Sequence, residues 1–99
     1  MSKIQGNYET AIVISMKLGQ DGINEMIEKF KALIEKHGGK VDNVTEWGKR
    51  RLAYLINDEA EGYYVFIDFT SDAEFIAELS RIYNITEGIL RSLTIRKGE

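Results

Sequence analysis

The strongest candidate for chemistry in this sequence is an uninterrupted run of three basic residues, Lys49, Arg50 and Arg51. Guanidinium and ammonium groups pair with phosphate oxygens, so the run indicates contact with a polyanion such as nucleic acid. Basic residues on sheet edges also discourage aggregation, and each residue alone is open to that interpretation. Side chains alternate between the two faces of a strand, so at least one of the three must point to the face that packs against the core. Protection of an edge against aggregation does not explain a basic residue there. A second basic group lies near the end of the chain: Arg91, Arg96 and Lys97.

Aromatic residues in segment 62–66 form a second candidate surface. If Val65 and Ile67 face a core, alternation places Tyr64 and Phe66 on the opposite side of a sheet. Exposed rings can stack on RNA bases or pack against a protein. The segment lacks the basic residue and the ring spacing of an RNA-recognition motif, so a protein partner suits it at least as well.

Residues suited to catalysis or metal binding are few. The chain has no cysteine and one histidine, His37, which is expected to support the last carbonyls of a helix. Asp58, Glu59 and Glu61 crowd one turn without a second group of ligands, which favours a solvated turn over a cation site. No phosphate-binding loop, nucleophile elbow or dinucleotide-binding glycine pattern occurs. We therefore expect no enzyme activity, no cofactor and no metal.

The composition predicts one globular domain over residues 1–99. Apolar residues make up 43% of the chain and charged residues 29%, with a net charge of −3. No apolar run reaches the roughly 18 residues of a membrane span, and the start is too polar for a signal peptide, so we expect no membrane contact and a cytoplasmic location. An acidic domain binds RNA poorly alone, because the interaction depends on several cations facing phosphates.

Hydrophobic periodicity predicts the elements that position these residues. The predicted order is strand 8–16, helix 21–37, strand 40–57, strand 63–70, helix 72–83 and strand 89–96. Asp21 is expected to cap the first helix and glycines 38 and 39 to end it. A capping box is predicted from Ser71 to Glu74, a bulge at Gly48, and a polar turn over 58–62.

This β-α-β-β-α-β order, with right-handed crossovers, predicts a ferredoxin-like α+β sandwich: a four-stranded antiparallel sheet with both helices on one face. The first and third strands are central, and the second and fourth form opposite edges. The two basic groups are then expected on different edges unless a bend brings them together. The other face of the sheet is left uncovered.

Segment 46–56, which reads Glu-Trp-Gly-Lys-Arg-Arg-Leu-Ala-Tyr-Leu-Ile, resembles the signature of the bacterial small-subunit ribosomal protein S6 family. Segments 8–9, 62–65 and 89–93 extend the resemblance over nearly the whole chain. The resemblance implies a non-catalytic component of the small ribosomal subunit. It also implies binding to the central domain of small-subunit ribosomal RNA together with a basic partner, ribosomal protein S18. Leu55 stands where the family usually has proline, so we expect a straighter strand there.

The basic groups and the resemblance together define the predicted site. RNA binding is assigned to Lys49, Arg50, Arg51, Arg91, Arg96 and Lys97. Partner binding is assigned to Tyr54, Tyr64 and Phe66. An alternative hypothesis is a dimerising or small-ligand regulatory module that closes its sheet against a second copy. The isolated chain is expected to be a monomer under the ribosomal hypothesis and a stable dimer under the alternative.

Overall fold

The computed structural model describes residues 5–97. Its elements are β1 (Gln5–Ser15), α1 (Gly19–Lys36), β2 (Lys40–Ile56), β3 (Glu59–Asp72), α2 (Ala73–Ile85) and β4 (Ile89–Arg96), with a short 3₁₀ turn (Met16–Leu18) before α1. The predicted order is confirmed. The strands form one antiparallel sheet in the order β2-β3-β1-β4, so β1 and β3 are central and β2 and β4 are the edges, as predicted.

The core lies between the sheet and the two helices. Alternate residues of the central strands are buried there, because a strand with one covered face hides every second side chain. In β1 these include Ile12 and Ile14, and in β3 they include Val65, Ile67 and Phe69. The inner face expected for β3 is therefore confirmed. Residues from the helices complete the core: Ile23, Ile27, Phe30, Ile34, Phe75, Leu79 and Tyr83.

The two helix starts differ from the sequence prediction. Helix α1 begins at Gly19, so Asp21 lies inside the first turn, where its charge still suits the helix dipole, and does not cap it. The N-cap of α2 is Asp72, whereas Ser71 is buried at the end of β3 and its hydroxyl donates to the Asp72 carbonyl. The predicted capping box is wrong because Ser71 is held in the sheet.

The predicted end of α1 is confirmed. His37 is the C-cap, and its Nδ1 donates to the Leu33 carbonyl oxygen at 3.0 Å. The ring also stacks on Phe75 with centroids 4.9 Å apart. The histidine thus supports the helix end, as expected. Within residues 5–97, neither helix is long and apolar enough to cross a lipid bilayer.

Strands β2 and β3 form a long hairpin that extends past the rest of the sheet. Its turn consists of Asn57 and Asp58, both with positive φ (52° and 65°), the conformation that matches the twist of a two-residue hairpin. The predicted polar turn over 58–62 is wrong, since β3 already begins at Glu59. Strand β1 ends at Ser15, opposite Gly62, so the last residues of the hairpin project beyond it. The molecule is accordingly elongated, 46 Å along its longest axis and 25 Å across.

Candidate functional site

The sheet surface opposite the helices, called the open face below, carries the outward side chains of the strands. Neither of the described helices covers it, as the sequence predicts. It is rich in apolar groups: Trp47 is 54% exposed, Leu93 64% and Ile95 48%. Exposed apolar side chains gathered on one face of a sheet are typical of surfaces that contact another molecule.

An aromatic cluster occupies the middle of the open face. The ring of Trp47 stacks near that of Tyr64 (centroids 6.5 Å apart, planes at 18°) and meets Phe66 edge-on at 4.6 Å. The predicted outward positions of Tyr64 and Phe66 are confirmed by these contacts. Strand β2 shifts register between Glu46 and Gly48, and Gly48 has a φ of 85°, which confirms the predicted bulge.

Sequence reasoning assigned no role to three residues of this surface. Trp47 was missed because strict alternation does not describe a strand with a bulge, although a bulge commonly re-aims a neighbouring side chain. Leu93 and Ile95 were also missed. They alternate with Ser92 and Thr94 in β4, and that period of two was the available signal.

The basic triplet is divided between the two sides of β2. Arg50 lies on the open face, with its guanidinium 5.6 Å from the centre of the Trp47 ring. Lys49 and Arg51 pair with β3 residues whose side chains point to the other side, and Lys49 Nζ lies 3.9 Å from Glu61. The alternation inferred from the sequence therefore holds, and the projecting hairpin carries exposed cations on both sides.

Beyond the triplet, β2 forms an arch. Arg51 pairs with Glu61 and Ile56 with Glu59, so residues 52–55 of β2 stand opposite the single residue Ala60. The expectation of a straighter strand at Leu55 is wrong, since the strand leaves regular pairing there without a proline.

The arch brings the two edges of the sheet into contact. Arg91 Nη1 of β4 donates to the hydroxyl oxygen of Tyr54 at 3.1 Å. Because β2 and β4 are opposite edges, this bond spans the open face. The bend therefore connects the hairpin that carries the first basic group to Arg91 through Tyr54, which is the exception allowed for in the sequence prediction.

Hydrogen bonds also hold the projecting hairpin near its turn. The Ser15 hydroxyl, at the end of β1, donates to the carboxylate of Glu59, whose oxygens lie 2.8 and 2.9 Å away. Within the hairpin, Tyr63 Oη donates to Glu46 Oε1 at 2.7 Å, and this bond to the carboxylate raises the pKa of Tyr63. The hairpin is thus joined to the rest of the sheet near its turn, through Glu59 to β1 and through Tyr54 to β4.

The remaining two predicted RNA-binding residues lie elsewhere. Arg96 is on the helix side of β4, against Gly6, with its guanidinium 5.9 Å from the Tyr8 ring centre. Lys97 Nζ lies 3.7 Å from Asp68 Oδ1, on the open face. Arg96 is five positions after Arg91 along β4, a distance of about 17 Å. The six predicted residues therefore form two groups: Lys49, Arg50, Arg51 and Arg91 near the hairpin, and Arg96 and Lys97 at the far end.

The arginines of these groups are available to a ligand. Among the described residues 5–97, no acidic side chain forms an ion pair with Arg50, Arg51, Arg91 or Arg96. In the same range, no three histidine, aspartate or glutamate side chains are grouped to hold a metal ion.

A sequence model of the family described as Ribosomal protein S6 matches residues 7–96. The chain belongs to the ribosomal protein S6 family. S6 proteins are structural proteins of the small ribosomal subunit and not a family of enzymes. This chain is therefore located in the ribosome, in the cytoplasm, as predicted.

Individual S6 proteins are similar over most of their length. A small ribosomal subunit protein bS6 of Thermoanaerobacter pseudethanolicus is 48% identical over 93 residues, which cover 94% of this chain and 98% of that protein. The bS6 of Clostridium novyi is 46% identical over 89 residues, covering 90% and 94%. The match therefore includes both the body and the projecting hairpin.

A solved S6 structure has the same fold. The crystal structure of 30S ribosomal protein S6 from Thermotoga maritima superposes with a TM-score of 0.89 at 32% sequence identity, covering 95% of this chain and 89% of that one. The predicted ferredoxin-like sandwich is confirmed.

Proposed function

We propose that this chain binds the central domain of small-subunit ribosomal RNA jointly with ribosomal protein S18, as a structural component without catalytic activity. The observation that carries the proposal is the continuity of two surfaces. The Tyr54–Arg91 bond places cations from both sheet edges at one end of the open face, next to the aromatic cluster. A protein that holds RNA and a second protein together needs such adjacent surfaces.

The hairpin cations are suited to phosphate. Arg50 packs against Trp47 and Arg91 against the Tyr54 hydroxyl, so both guanidinium groups are held in place before RNA arrives. Pre-positioned groups lose less side-chain entropy on binding. Lys49 and Arg51 occupy the other side of the projecting hairpin, so an RNA backbone passing its end can be contacted from two directions. Arg96 and Lys97 would make a separate contact at the far end.

The aromatic cluster is suited to the protein partner. Tyr64 and Phe66 share the open face with Trp47, Leu93 and Ile95, and aromatic residues are enriched in protein interfaces. A net charge of −3 also favours joint binding, because a basic partner supplies cations that this chain lacks.

The phosphate role is tested with the double variant Arg50→Glu, Arg51→Glu in complex with S18, titrated with a central-domain RNA fragment at several salt concentrations. We expect weaker binding and a plot of log affinity against log salt whose slope is smaller by about one for each phosphate that the variant no longer neutralises. Lys29→Glu, an exposed charge reversal on α1, is the control and should change neither quantity substantially.

An affinity and a salt slope equal to those of the unmodified complex would refute the phosphate role. An equal weakening in the Lys29→Glu variant would assign the effect to overall charge. Circular dichroism of each variant establishes that the fold is intact.

A further inference from the structure

We propose that the protein partner docks on the open face in one orientation, with a basic side chain against Glu9 and Asp68 and its apolar side chains on the strip formed by Phe66, Leu93 and Ile95. This inference rests on the proposed function, since it specifies the chemistry and direction of the partner at the same surface. The occupant is a cationic, apolar polypeptide segment and not RNA.

The first argument is the position of the two carboxylates. Glu9 of β1 and Asp68 of β3 are directly opposite each other in the antiparallel register. Both point to the open face, because their neighbours Tyr8, Thr10, Ile67 and Phe69 are buried on the other side. Side chains in such a pair are about 5 Å apart at Cβ, and like charges there destabilise the sheet. A cation bound between them would remove that repulsion.

The second argument is that Asp68 is incompletely satisfied within the chain. Its Oδ1 is buried and has no hydrogen-bond donor among residues 5–97. Lys97 Nζ is 3.7 Å away, within ion-pair range but too far for a hydrogen bond, and its side chain is about half exposed (49%). A buried acceptor without a donor is costly, so a donor that displaces Lys97 would gain a strong interaction.

The third argument is the apolar surroundings of the pair. Ile95 is the cross-strand neighbour of Glu9, and Glu9 lines a shallow depression with Thr45, Trp47 and Phe66. An arginine is favoured over a lysine, because its planar group can donate to a carboxylate through two parallel bonds while its stem packs on apolar surface.

Charge also sets the direction of docking. Arg50 and Arg91 occupy the hairpin end of the open face, and the carboxylate pair lies toward the other end. The carboxylates repel phosphate, so on the open face RNA is directed to the hairpin end and the basic segment to the other end. Arg96 is on the helix side of β4, and Lys97 is released from Asp68 when the segment binds, so both can still contact RNA outside the open face.

The test compares Glu9→Gln, which keeps the size of the side chain, with Glu25→Gln, a matched charge removal on the exposed side of α1. Affinity for purified S18 is measured by calorimetry, and thermal unfolding is followed on the free chain. We expect Glu9→Gln to bind S18 about tenfold or more weakly, because a hydrogen bond to a charged group is replaced by a weaker neutral one. The same variant should unfold at a Tm roughly 1–4 °C higher, because the repulsion is relieved. Asp68→Asn is the second variant and should also weaken binding.

Weaker binding of S18 together with a higher Tm in Glu9→Gln distinguishes docking from a structural role. If Glu9 were only structural, its replacement would lower both the affinity and the Tm. If the unmodified chain binds S18 and both variants bind equally well, the inference is overturned and the proposed function stands. If the unmodified chain does not bind S18, both are overturned. If Glu9→Gln weakens binding of a central-domain RNA fragment to the free chain instead, the occupant is RNA and the inference is wrong. A weakening in Glu25→Gln equal to that in Glu9→Gln would also contradict it.

Discussion

Tyr83 is the largest polar side chain in the core. Its Oη lies 3.1 Å from Thr10 Oγ1, which in turn accepts a hydrogen bond from Thr94 at 3.0 Å. These bonds join α2 to strands β1 and β4 through the interior. Burial raises the pKa of Tyr83 from 10.0 to about 12, although the hydrogen bond to Thr10 partly opposes the shift. The sequence predicted a helix over 72–83 but assigned Tyr83 no role in the core.

The raised pKa predicts a loss of stability in alkali. Below pH 10 both states keep the Tyr83 proton, and the contribution of the buried hydroxyl is fully present. Between pH 10 and about 12 the unfolded chain loses the proton and the folded chain retains it, so the free energy of unfolding falls as pH rises. The contribution of this residue is roughly 2–3 kcal/mol in total, measurable by urea unfolding across that range.

Tyr83→Phe is the control for the alkaline prediction. It lacks the ionising group, so its stability should decline less between pH 10 and 12 than that of the unmodified chain. A decline of the same size in both proteins would show that other groups account for it.

At single positions, the sequence predicted side-chain faces better than contacts. Alternation was sufficient to place Tyr64 and Phe66 on the outward face, because β3 keeps a regular period of two. It was insufficient for Trp47, whose direction depends on the bulge at Gly48. The Tyr54–Arg91 bond was also beyond prediction, since it joins residues on opposite edges of the sheet through an arch with no sequence period.

At the scale of elements, the hairpin departs furthest from expectation. A polar turn was predicted over 58–62 because three acidic residues and Gly62 occur there, but Gly62 belongs to β3. Gly62 leaves room for the side chain of Val13. A Cβ at position 62 would lie 2.3 Å from Val13 Cγ1, and Val13 is only 7% exposed. Close approach across two central strands, not turn formation, explains this glycine.

Gly62→Ala should therefore destabilise the protein by about 1–3 kcal/mol, the usual cost of overpacking. The measurement is urea unfolding of the single variants and of the double variant with Val13→Ala. The double variant removes the clashing methyl group, so its destabilisation should be smaller than the sum of the two single effects. Additive effects would mean that Val13 is not the cause.

The element order was predictable because the hydrophobic periods of 2 and 3.6 residues are clear in every segment except the irregular second strand, which its β-forming residues still mark. The element ends were not. Asp21 and Ser71 both have the right chemistry for a cap, yet Leu18 and Asp72 take those positions. Tertiary packing at the end of a strand outweighs a capping preference of about 1 kcal/mol.

At the scale of the whole molecule, the fold class followed from element order, and the family match confirms what the 46–56 signature indicated. The site could be predicted only as a set of residue types. Two basic groups were predicted, but the placement of Arg91 with the triplet was not, because it depends on strand register and on the arch.

The isolated chain is predicted to be a monomer. A dimer joined through two open faces would have to bury Glu9, Asp68, Arg50 and Arg91 of both copies, and the cost of taking these charges out of water opposes such contact. Sedimentation equilibrium over a range of concentrations should give the mass of a single chain. A stable dimer would contradict the prediction and support the dimerising module.

The position of Trp47 has a practical consequence. It is the chain's single tryptophan, and it lies at the surface with Arg50 on one side and Phe66 on the other. Indole emission responds to the polarity around the ring, and here none of it originates in the interior. We therefore expect the intrinsic fluorescence of the unlabelled protein to change when a ligand covers the open face, so the proposed docking can be followed in real time without a dye.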